Sequence, residues 1–395
     1  MTERPIVGLG LILLVASLVA IISRRFRLPY SVGLVTAGIA LAFGPYKLDL
    51  RLSRDLIFMV FLPPLVFEAA LQLKWKHFCR NLPVTLLLAF PGVVIAAAIV
   101  AVGTHLLLGW SWMGSSLFGV LIAATDPVSV IAAFKEMQID RRLSMLVESE
   151  SLLNDGSAAV GFGMLVSIAA GAEATPLAIG GSLFWTVIGG ILFGALVAGL
   201  LLLVAGRTED HMVEITLTTI AAYGSFLLAD HFEMSGVLAS LTAGLLIGNM
   251  GWRGPISENG REHVKAFWEY AAFLANSIVF ILIGGHEVQQ PLSAYGPAAV
   301  LAIALVLMGR AAAIYPLCAL VARANHPMDM RYRHVLFWGG LRGALALALA
   351  LALPAALPER QEIIVVAFAV VAFSIFAQGL TMPWLVRRLG LMKAD

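Results

Sequence analysis

Long apolar stretches recur along the whole chain, and each is close to the length that a lipid bilayer demands. A membrane-spanning helix needs about 20 mostly apolar residues. Only 13% of the 395 residues are charged, whereas soluble domains carry about 25%. The apolar stretches lie at 5–23, 29–45, 55–73, 82–108, 114–134, 143–170, 182–205, 212–229, 234–250, 267–286, 296–322, 333–353 and 362–386. They predict an all-α polytopic membrane protein with about thirteen transmembrane helices.

The segments between these stretches leave no room for a soluble domain. The longest connection, 251–266, is short, so residues 1–395 are expected to form a single membrane domain. The first stretch lacks a basic segment before it and a small-residue cleavage site, which predicts a true span rather than a removed signal peptide.

Basic residues are distributed unevenly between the two sides of the membrane. Most of the 26 lysines and arginines lie near the C-terminus or in one set of loops, at 24–28, 74–81, 135–142, 206–211, 251–266 and 323–332. The opposite side has only Arg4, Lys47, Arg51, Arg54 and Arg360. Cytoplasmic loops are enriched in Lys and Arg. We therefore expect the N-terminus outside and the C-terminus in the cytoplasm.

Five of the ionisable residues inside the apolar stretches matter most. Asp126 is in span 5, Glu150 and Asp155 are in span 6, Arg310 is in span 11 and Arg342 is in span 12. A charge at the centre of a span costs about 2.5–3.5 kcal/mol on insertion scales, and such residues mark ion pathways or proton relays. These positions are the candidate functional residues.

Span 6 presents a polar face in an otherwise apolar helix. Glu150, Ser151, Asn154 and Asp155 follow one another at i, i+1, i+4 and i+5, which places them on one side of a helix. All four side chains offer oxygen atoms, the ligands that hard cations prefer. The spacing predicts a cation site near the middle of the membrane.

Spans 5 and 12 each contain a predicted break. Pro127 disfavours helix at Asp126 and removes a backbone donor, so residues 125–127 predict an interruption. Residues 339–343 read Gly-Gly-Leu-Arg-Gly and predict a second one. Paired interrupted helices indicate a transporter site built on inverted repeats. Comparing spans 1–6 with spans 8–13 places span 5 opposite span 12, although no repeat is visible in the letters.

Each of these features also has a purely structural interpretation. Asp126 with Pro127 could simply cap a helix, and Glu150 with Arg310 could be an ion pair that only stabilises the fold. Arg342 could neutralise helix ends. Asp155 is hardest to explain in this way, because a carboxylate at the middle of a membrane is costly without a function.

Three sequence motifs resemble a known family. ATDPVSV, ESLLNDG and GGLRGALALALA, in this order, are similar to motifs of the sodium/proton exchangers of the electroneutral cation:proton antiporter-1 family. FLPPLVFEAAL and GVLASLTAGLLIGN add to the resemblance, which covers essentially the whole membrane domain. It implies a core domain around spans 5, 6, 11 and 12, with discontinuous spans 5 and 12 crossing. It also implies a homodimer, with a dimerisation part from spans near 1–3 and 7–10.

The resemblance assigns the ion-binding roles residue by residue. Asp155 corresponds to the aspartate that binds the ion and the proton. Asp126 and the main chain of Thr125 correspond to ligands from the unwound helix, and Ser151 to a further ligand. Asn154 corresponds to the asparagine beside the aspartate. The implied Na⁺ ligands are therefore Asp155, Asp126, Ser151 and Thr125.

The resemblance also covers the other buried charges. Glu150 and Arg310 correspond to a structural ion pair, and Arg342 to the arginine at the break in helix 12. Ser149 departs from the family, which usually has glycine before the ESLLND motif. The chain ends at Asp395, soon after the last span, which favours a prokaryotic type or a shortened chain.

The chemistry of one titratable site predicts antiport. Asp155 can hold a proton or a cation, while Asn154 does not titrate and arginine stays protonated. One proton should therefore exchange for one monovalent cation, with Na⁺ favoured and Li⁺ or K⁺ open. The alternatives are a cation channel, a membrane aspartyl protease using Asp126 and Asp155, and a crossed-helix organic-anion symporter. We expect a multi-pass protein of the plasma membrane that is not an enzyme and needs no cofactor and no nucleic-acid partner.

Overall fold

The structure is a computed structural model of the full chain. It describes residues 3–26, 28–43, 53, 55–127, 130–131, 134, 137–172, 175–287, 292–323 and 328–392. The secondary structure in these ranges is helical, apart from an isolated antiparallel bridge between Ile139 and Met392. This is the all-α fold that the apolar stretches predict.

Sixteen α-helices follow one another in the described ranges. They are α1 Glu3–Phe26, α2 Tyr30–Ala42, α3 Leu62–Gln72, α4 Trp75–Leu87, α5 Val93–Leu108, α6 Trp112–Leu121, α7 Arg141–Ala169, α8 Pro176–Ala205, α9 His211–His231, α10 Gly236–Met250, α11 Glu258–Glu287, α12 Leu292–Arg323, α13 Met330–Trp338, α14 Ala344–Leu351, α15 Arg360–Phe373 and α16 Leu380–Arg388. Short π-helical segments precede α3, α5 and α16.

Eight helical segments in the described part of the chain are long and apolar enough to cross a membrane. Three shorter apolar segments, Tyr30–Ala42, Leu56–Gln72 and Trp112–Leu121, accompany them. Each of the thirteen apolar stretches overlaps one or more of these helices within the described residues. The multi-pass membrane class is thereby confirmed, while the count of thirteen crossings stays a prediction.

Two helices are interrupted where charged residues enter the apolar stretches. The first interruption, residues 122–127, follows α6. The second interruption, residues 339–343, separates α13 from α14. Proline at 127 and three glycines between 339 and 343 favour these breaks. The crossing of the two helices and the inverted repeats stay predictions.

The chain divides into two compact units. The first comprises Met1–Ile57, Val84–Asn154 and Asn276–Asp395. Its apolar core includes Phe134, Leu143 and Ile314. Both interruptions belong to this unit, as do α12 and α15. The first unit therefore contains four of the five ionisable candidates, Asp126, Glu150, Arg310 and Arg342.

The second unit comprises Phe58–Pro83 and Asp155–Ala275. Its core is built around Phe67 and Trp268, whose ring centroids lie 4.5 Å apart. The boundary between the units falls inside α4, α7 and α11, and in α7 it separates Asn154 from Asp155. The proposed core and dimerisation parts, drawn along different boundaries, stay a prediction.

Candidate ion-binding site

Helix α7 carries the polar face that the sequence predicts. Glu150, Ser151 and Asn154 are all buried, and Asp155 is half-buried. The helix runs without a break from Arg141 to Ala169, so Asp155 lies one turn after Ser151 on the same side. This continuity fixes the position of Asp155 along α7 relative to the buried polar residues.

Asn154 joins α7 to the first interruption. Its side-chain amide donates to Thr125 Oγ1 at 2.7 Å and to Glu150 Oε1 at 3.2 Å. Its carbonyl oxygen accepts the Thr125 N–H at 3.2 Å, and Thr125 Oγ1 lies 2.9 Å from Ser151 Oγ. Because a buried polar group without a partner costs about 1–3 kcal/mol, these mutual bonds hold the unwound backbone at Thr125 in place.

Arg310 binds both α7 and α13. Its Nη1 and Nη2 donate to Glu150 Oε1 at 2.6 Å and to Glu150 Oε2 at 2.8 Å. Nη2 also donates to the carbonyl of Leu336 at 2.9 Å, in the last turn of α13. The bidentate arrangement is the strong form of an arginine–carboxylate pair. Glu150 and Arg310 thus neutralise each other, and the arginine also stabilises the negative end of α13.

Asp126 lies against the start of α14. Its N–H donates to the carbonyl of Leu341 at 2.7 Å, which ties the first interruption to the second. A Cβ atom built on Gly343 would collide with the Asp126 carboxylate. Gly343 is the residue just before α14, so only glycine allows the carboxylate to lie this close. The partial positive charge of a helix N-terminus favours a carboxylate there.

Arg342 serves the opposite helix end. Its Nη1 donates to the carbonyls of Ala123 and Ala124, at 2.7 and 3.1 Å, just past the end of α6. The backbone N–H of Arg342 donates to Ser374 Oγ at 2.9 Å. Arg342 therefore binds the carbonyl end of α6, beside the backbone that bears Asp126, and its role stays a prediction.

Asp329 caps the N-terminal end of α13. Its carboxylate accepts the Arg331 N–H at 3.1 Å and Arg331 Nε at 2.7 Å. These contacts, the backbone hydrogen bond first, lower the pKa of Asp329, which lies in the predicted loop 323–332. The Asp329 carboxylate at this helix end is therefore ionised at neutral pH and paired with Arg331.

Two groups were absent from the candidates that the sequence provided. Ser374 and the Leu336 carbonyl complete the bonding of Arg342 and Arg310. A serine after an apolar run gives no distinctive signal, and a main-chain carbonyl gives none at all. Ser149, the departure from the family motif, is buried, and its Oγ has no hydrogen-bond partner within the described residues.

The oxygen atoms at the site suit a hard monovalent cation. Within the described ranges, no group of three or more His, Cys, Asp or Glu residues could hold a metal ion. The hydroxyl oxygens of Thr125 and Ser151 lie 2.9 Å apart, and Asp126 follows Thr125 in the chain. Interrupted helices with charges at their ends define a class of protein, the secondary transporters.

Family comparison gives the particular family. The family described as "Sodium/hydrogen exchanger, transmembrane" matches residues 11–388. The Na⁺/H⁺ antiporter ApNhaP of Aphanothece halophytica is 39% identical over 393 residues, which is 99% of this chain and 75% of that protein. The Na⁺/H⁺ antiporter NhaS2 of Synechocystis is 37% identical, over 98% of this chain and 71% of that protein. The chain belongs to the sodium/hydrogen exchanger family.

A solved structure has the same fold. The sodium proton antiporter MjNhaP1 from Methanocaldococcus jannaschii superposes with a TM-score of 0.80 at 19% identity, covering 98% of this chain and 99% of that one. The predicted family and fold class are confirmed, as is secondary active sodium/proton exchange as the activity. The roles of the individual site residues stay predictions.

Proposed function

We propose that the chain exchanges one Na⁺ for one proton, and that both compete for a site formed by Asp155 and Asp126. Asp155 holds either the proton or the cation, while Asp126 stays ionised throughout the cycle. Ser151 contributes its hydroxyl. Thr125 contributes its carbonyl oxygen, since its hydroxyl is already bonded to Asn154 and Ser151. Asn154 orients these groups and does not titrate.

The observation that carries this proposal is the balance of fixed charges. Glu150 and Arg310 neutralise each other in a bidentate pair. Asp126 and Arg342, one from each interruption, also have opposite charges. Asp155 is then the carboxylate of the predicted site that is left to bind a proton or a cation, since Asn154 does not titrate. A proton and a monovalent cation each supply one positive charge, so either one restores neutrality.

Alternating access follows from this balance. A carrier whose loaded forms are neutral can move its site across the membrane without carrying charge through the low-dielectric interior. The empty form keeps an ionised carboxylate with neither ion bound, and moving that charge is costly. The site therefore reorients with a proton or a cation bound but not when empty, and this makes exchange obligatory.

Na⁺ is the proposed substrate, with Li⁺ and K⁺ as competitors that the same oxygen atoms could bind. The ligands are hard oxygen donors, which do not by themselves select among alkali cations. The names of the relatives ApNhaP and NhaS2 refer to Na⁺. Regulation of internal pH and sodium is the physiological role that such exchange would serve.

A proteoliposome assay tests the exchange. The purified chain is reconstituted with a pH-sensitive dye inside, and Na⁺, Li⁺ or K⁺ is added outside with the membrane potential clamped. Saturable proton efflux driven by Na⁺ is expected. A large conductance without proton movement would indicate a cation channel instead, and cleavage of a peptide probe would indicate a membrane protease.

We propose that the chain lies in the plasma membrane as a homodimer, with the N-terminus outside and the C-terminus in the cytoplasm. The orientation rests on the distribution of basic residues, and the dimer rests on the family resemblance. Cross-linking in native membranes tests the dimer. The expected product is one species of twice the chain mass, whereas a monomer at all cross-linker concentrations would contradict it.

Cys79 offers a test of the orientation. It is exposed on α4 and belongs to the predicted cytoplasmic loop 74–81, while Cys318 is buried. In a Cys318→Ser background, a membrane-impermeant thiol reagent should label Cys79 in inside-out vesicles and not in right-side-out cells. The Cys79→Ser variant supplies the background signal. Labelling from the outside alone would reverse the proposed topology.

A further inference from the structure

Glu359 and Arg360 lie outside both interruptions, which are residues 122–127 and 339–343, yet they bind the helices next to these interruptions. Glu359 Oε1 accepts the Ser111 N–H at 2.9 Å, and Oε2 accepts Ser111 Oγ–H at 3.2 Å. Ser111 is the residue that caps α6. A carboxylate therefore stands at the positive end of α6, where the helix dipole favours it.

The next residue does the same for α14 with the opposite charge. Arg360 Nε donates to the carbonyl of Leu353 at 3.0 Å, and Nη2 donates to the carbonyl of Leu351 at 3.2 Å. Leu351 is the last residue of α14. An arginine at a helix C-terminus satisfies carbonyls that have no partner within the helix. Two adjacent residues thus bind the far ends of α6 and α14.

Helix α15 connects these far ends to the interruptions themselves. It begins at Arg360, packs against both α6 and α14, and is almost wholly buried from Ile363 to Phe368. Ser374 follows its last residue and accepts the N–H of Arg342 in the second interruption. A helix of 14 residues is about 21 Å long. Helix α15 therefore contacts both half-helices at one end and the second interruption at the other.

We propose that Glu359 and Arg360 are positioning residues for exchange, which together form a clamp that holds α6 and α14 in register on α15. The clamp keeps the end of α6, with Asp126 just beyond it, aligned with the start of α14. Neither residue touches the ion. This inference rests on the proposed function, because it assumes that Asp126 and the interruptions bind the transported ion.

The same local motif recurs among the described residues of the second unit and provides a matched control. In the second unit, Glu214 Oε1 accepts the Ser257 N–H at 2.8 Å and Oε2 accepts Ser257 Oγ–H at 3.1 Å. Ser257 precedes α11, as Ser111 precedes α6. In both cases the serine hydroxyl accepts the N–H of a glycine three residues later, Gly260 or Gly114. The close approach of the glutamate favours glycine at these positions.

The two glutamates differ in burial and in the helices that they bind. Glu214 is fully buried, whereas Glu359 is half-buried. Removing Glu214 should therefore disturb folding at least as much as removing Glu359. Helix α11 runs unbroken from Glu258 to Glu287. Helix α6 is short, and the end opposite its cap leads directly into the first interruption. A general loss of stability would affect exchange equally in both variants, and a positioning role would not.

The experiment compares Glu359→Ala with Glu214→Ala in proteoliposomes. Initial rates of Na⁺-driven proton efflux are measured over a range of Na⁺ concentrations, and thermal stability is measured on the same samples. Loss of a helix cap corresponds to about a twofold to thirtyfold change in an equilibrium constant. Glu359→Ala should raise the KM for Na⁺ within that range, whereas Glu214→Ala should lower thermal stability and leave KM unchanged.

Milder variants keep the test valid if Glu359→Ala folds poorly. Glu359→Gln keeps the length of the side chain and loses its charge, whereas Glu359→Asp keeps the charge. The KM of the Asp variant should therefore lie between those of the original chain and Glu359→Ala. Arg360→Ala should raise KM as Glu359→Ala does. Equal KM values for the Glu359 and Glu214 variants would overturn the clamp. If Asp126→Asn also leaves exchange intact, the proposed ion site itself is wrong; if Asp126→Asn impairs exchange, only the clamp fails.

Discussion

The two interruptions of the first unit are alike in geometry and opposite in charge. The first brings the Asp126 carboxylate to the start of α14. The second brings the Arg342 guanidinium to the carbonyls at the end of α6. Each interruption thus supplies the charge that the other helix end favours. The two are not equivalent in chemistry, however, because a carboxylate can bind a proton or a cation and arginine stays protonated.

This difference separates the variable part of the site from its fixed part. In the proposed cycle Asp155 exchanges a proton for a cation, whereas Asp126 stays ionised and binds the cation. Arg342 and the Glu150–Arg310 pair supply constant charge and hydrogen bonds to the backbone. Changes on the carboxylate side should therefore alter transport, and changes on the arginine side should alter stability first.

The largest effect is expected for Asp155→Asn. The amide keeps the shape of the side chain and loses the charge that binds the proton and the cation. Exchange should fall to the rate of liposomes without protein, while thermal stability stays close to that of the original chain. Sodium-driven proton flux that survives in this variant would show that Asp155 is not the carrier.

Asp126→Asn should weaken cation binding without abolishing folding. Losing a charged ligand of the cation should lower its affinity by about 10- to 150-fold, the equivalent of about 1.5–3 kcal/mol. The measurement is the Na⁺ concentration that gives half-maximal proton efflux. An unchanged value would place the cation away from the first interruption and remove the basis of the comparison.

Breaking the Glu150–Arg310 pair should act on stability. Removing one partner of a buried pair leaves an uncompensated charge and costs about 3–5 kcal/mol. Glu150→Ala and Arg310→Ala should therefore express poorly or unfold at markedly lower temperature. Thermal unfolding of the detergent-solubilised variants measures the effect, and the double variant should be less destabilised than the sum of the two single ones.

A smaller effect is expected for Arg342→Lys. Lysine keeps the charge, but its ammonium group ends one bond short of the Arg342 Nη1 that donates to the carbonyls of both Ala123 and Ala124. Losing one hydrogen bond to a charged group should cost about 1.5–3 kcal/mol of stability. Thermal unfolding should detect this loss, while Na⁺ and protons should still compete in the exchange assay. Loss of competition, with stability unchanged, would assign Arg342 to the ion site itself.

The sequence predicted the class of fold and the positions of the interruptions for definite physical reasons. Spans must be apolar for about 20 residues because lipid offers no hydrogen bonds. Each span can therefore be recognised from its composition, whatever the order of its apolar residues. Pro127 and the glycines between 339 and 343 restrict or free the backbone locally, and their effect does not depend on distant residues. The polar face of α7 follows from helix periodicity alone.

The contacts that complete the site were not predictable in the same way. Arg342 and its acceptor Ala123 are 219 residues apart, and the acceptor is a main-chain carbonyl that every residue possesses. Glu359 and Arg360 lie between two apolar stretches, where the natural interpretation is a solvated loop. Only the packing of α15 against α6 and α14 brings them to the two helix ends.

The most direct test of the account is whether charge moves during exchange. If fixed charges balance and Asp155 carries one proton or one Na⁺, both loaded forms are neutral and one cycle moves no net charge. Only a net moved charge experiences the ~2.3 kcal/mol per 100 mV of the membrane field. Proton efflux should then be the same at every imposed potential, with no steady current in a solid-supported membrane recording. A steady current that reverses with the sodium gradient would mean that a second proton moves, and would contradict the proposal that Asp126 stays ionised.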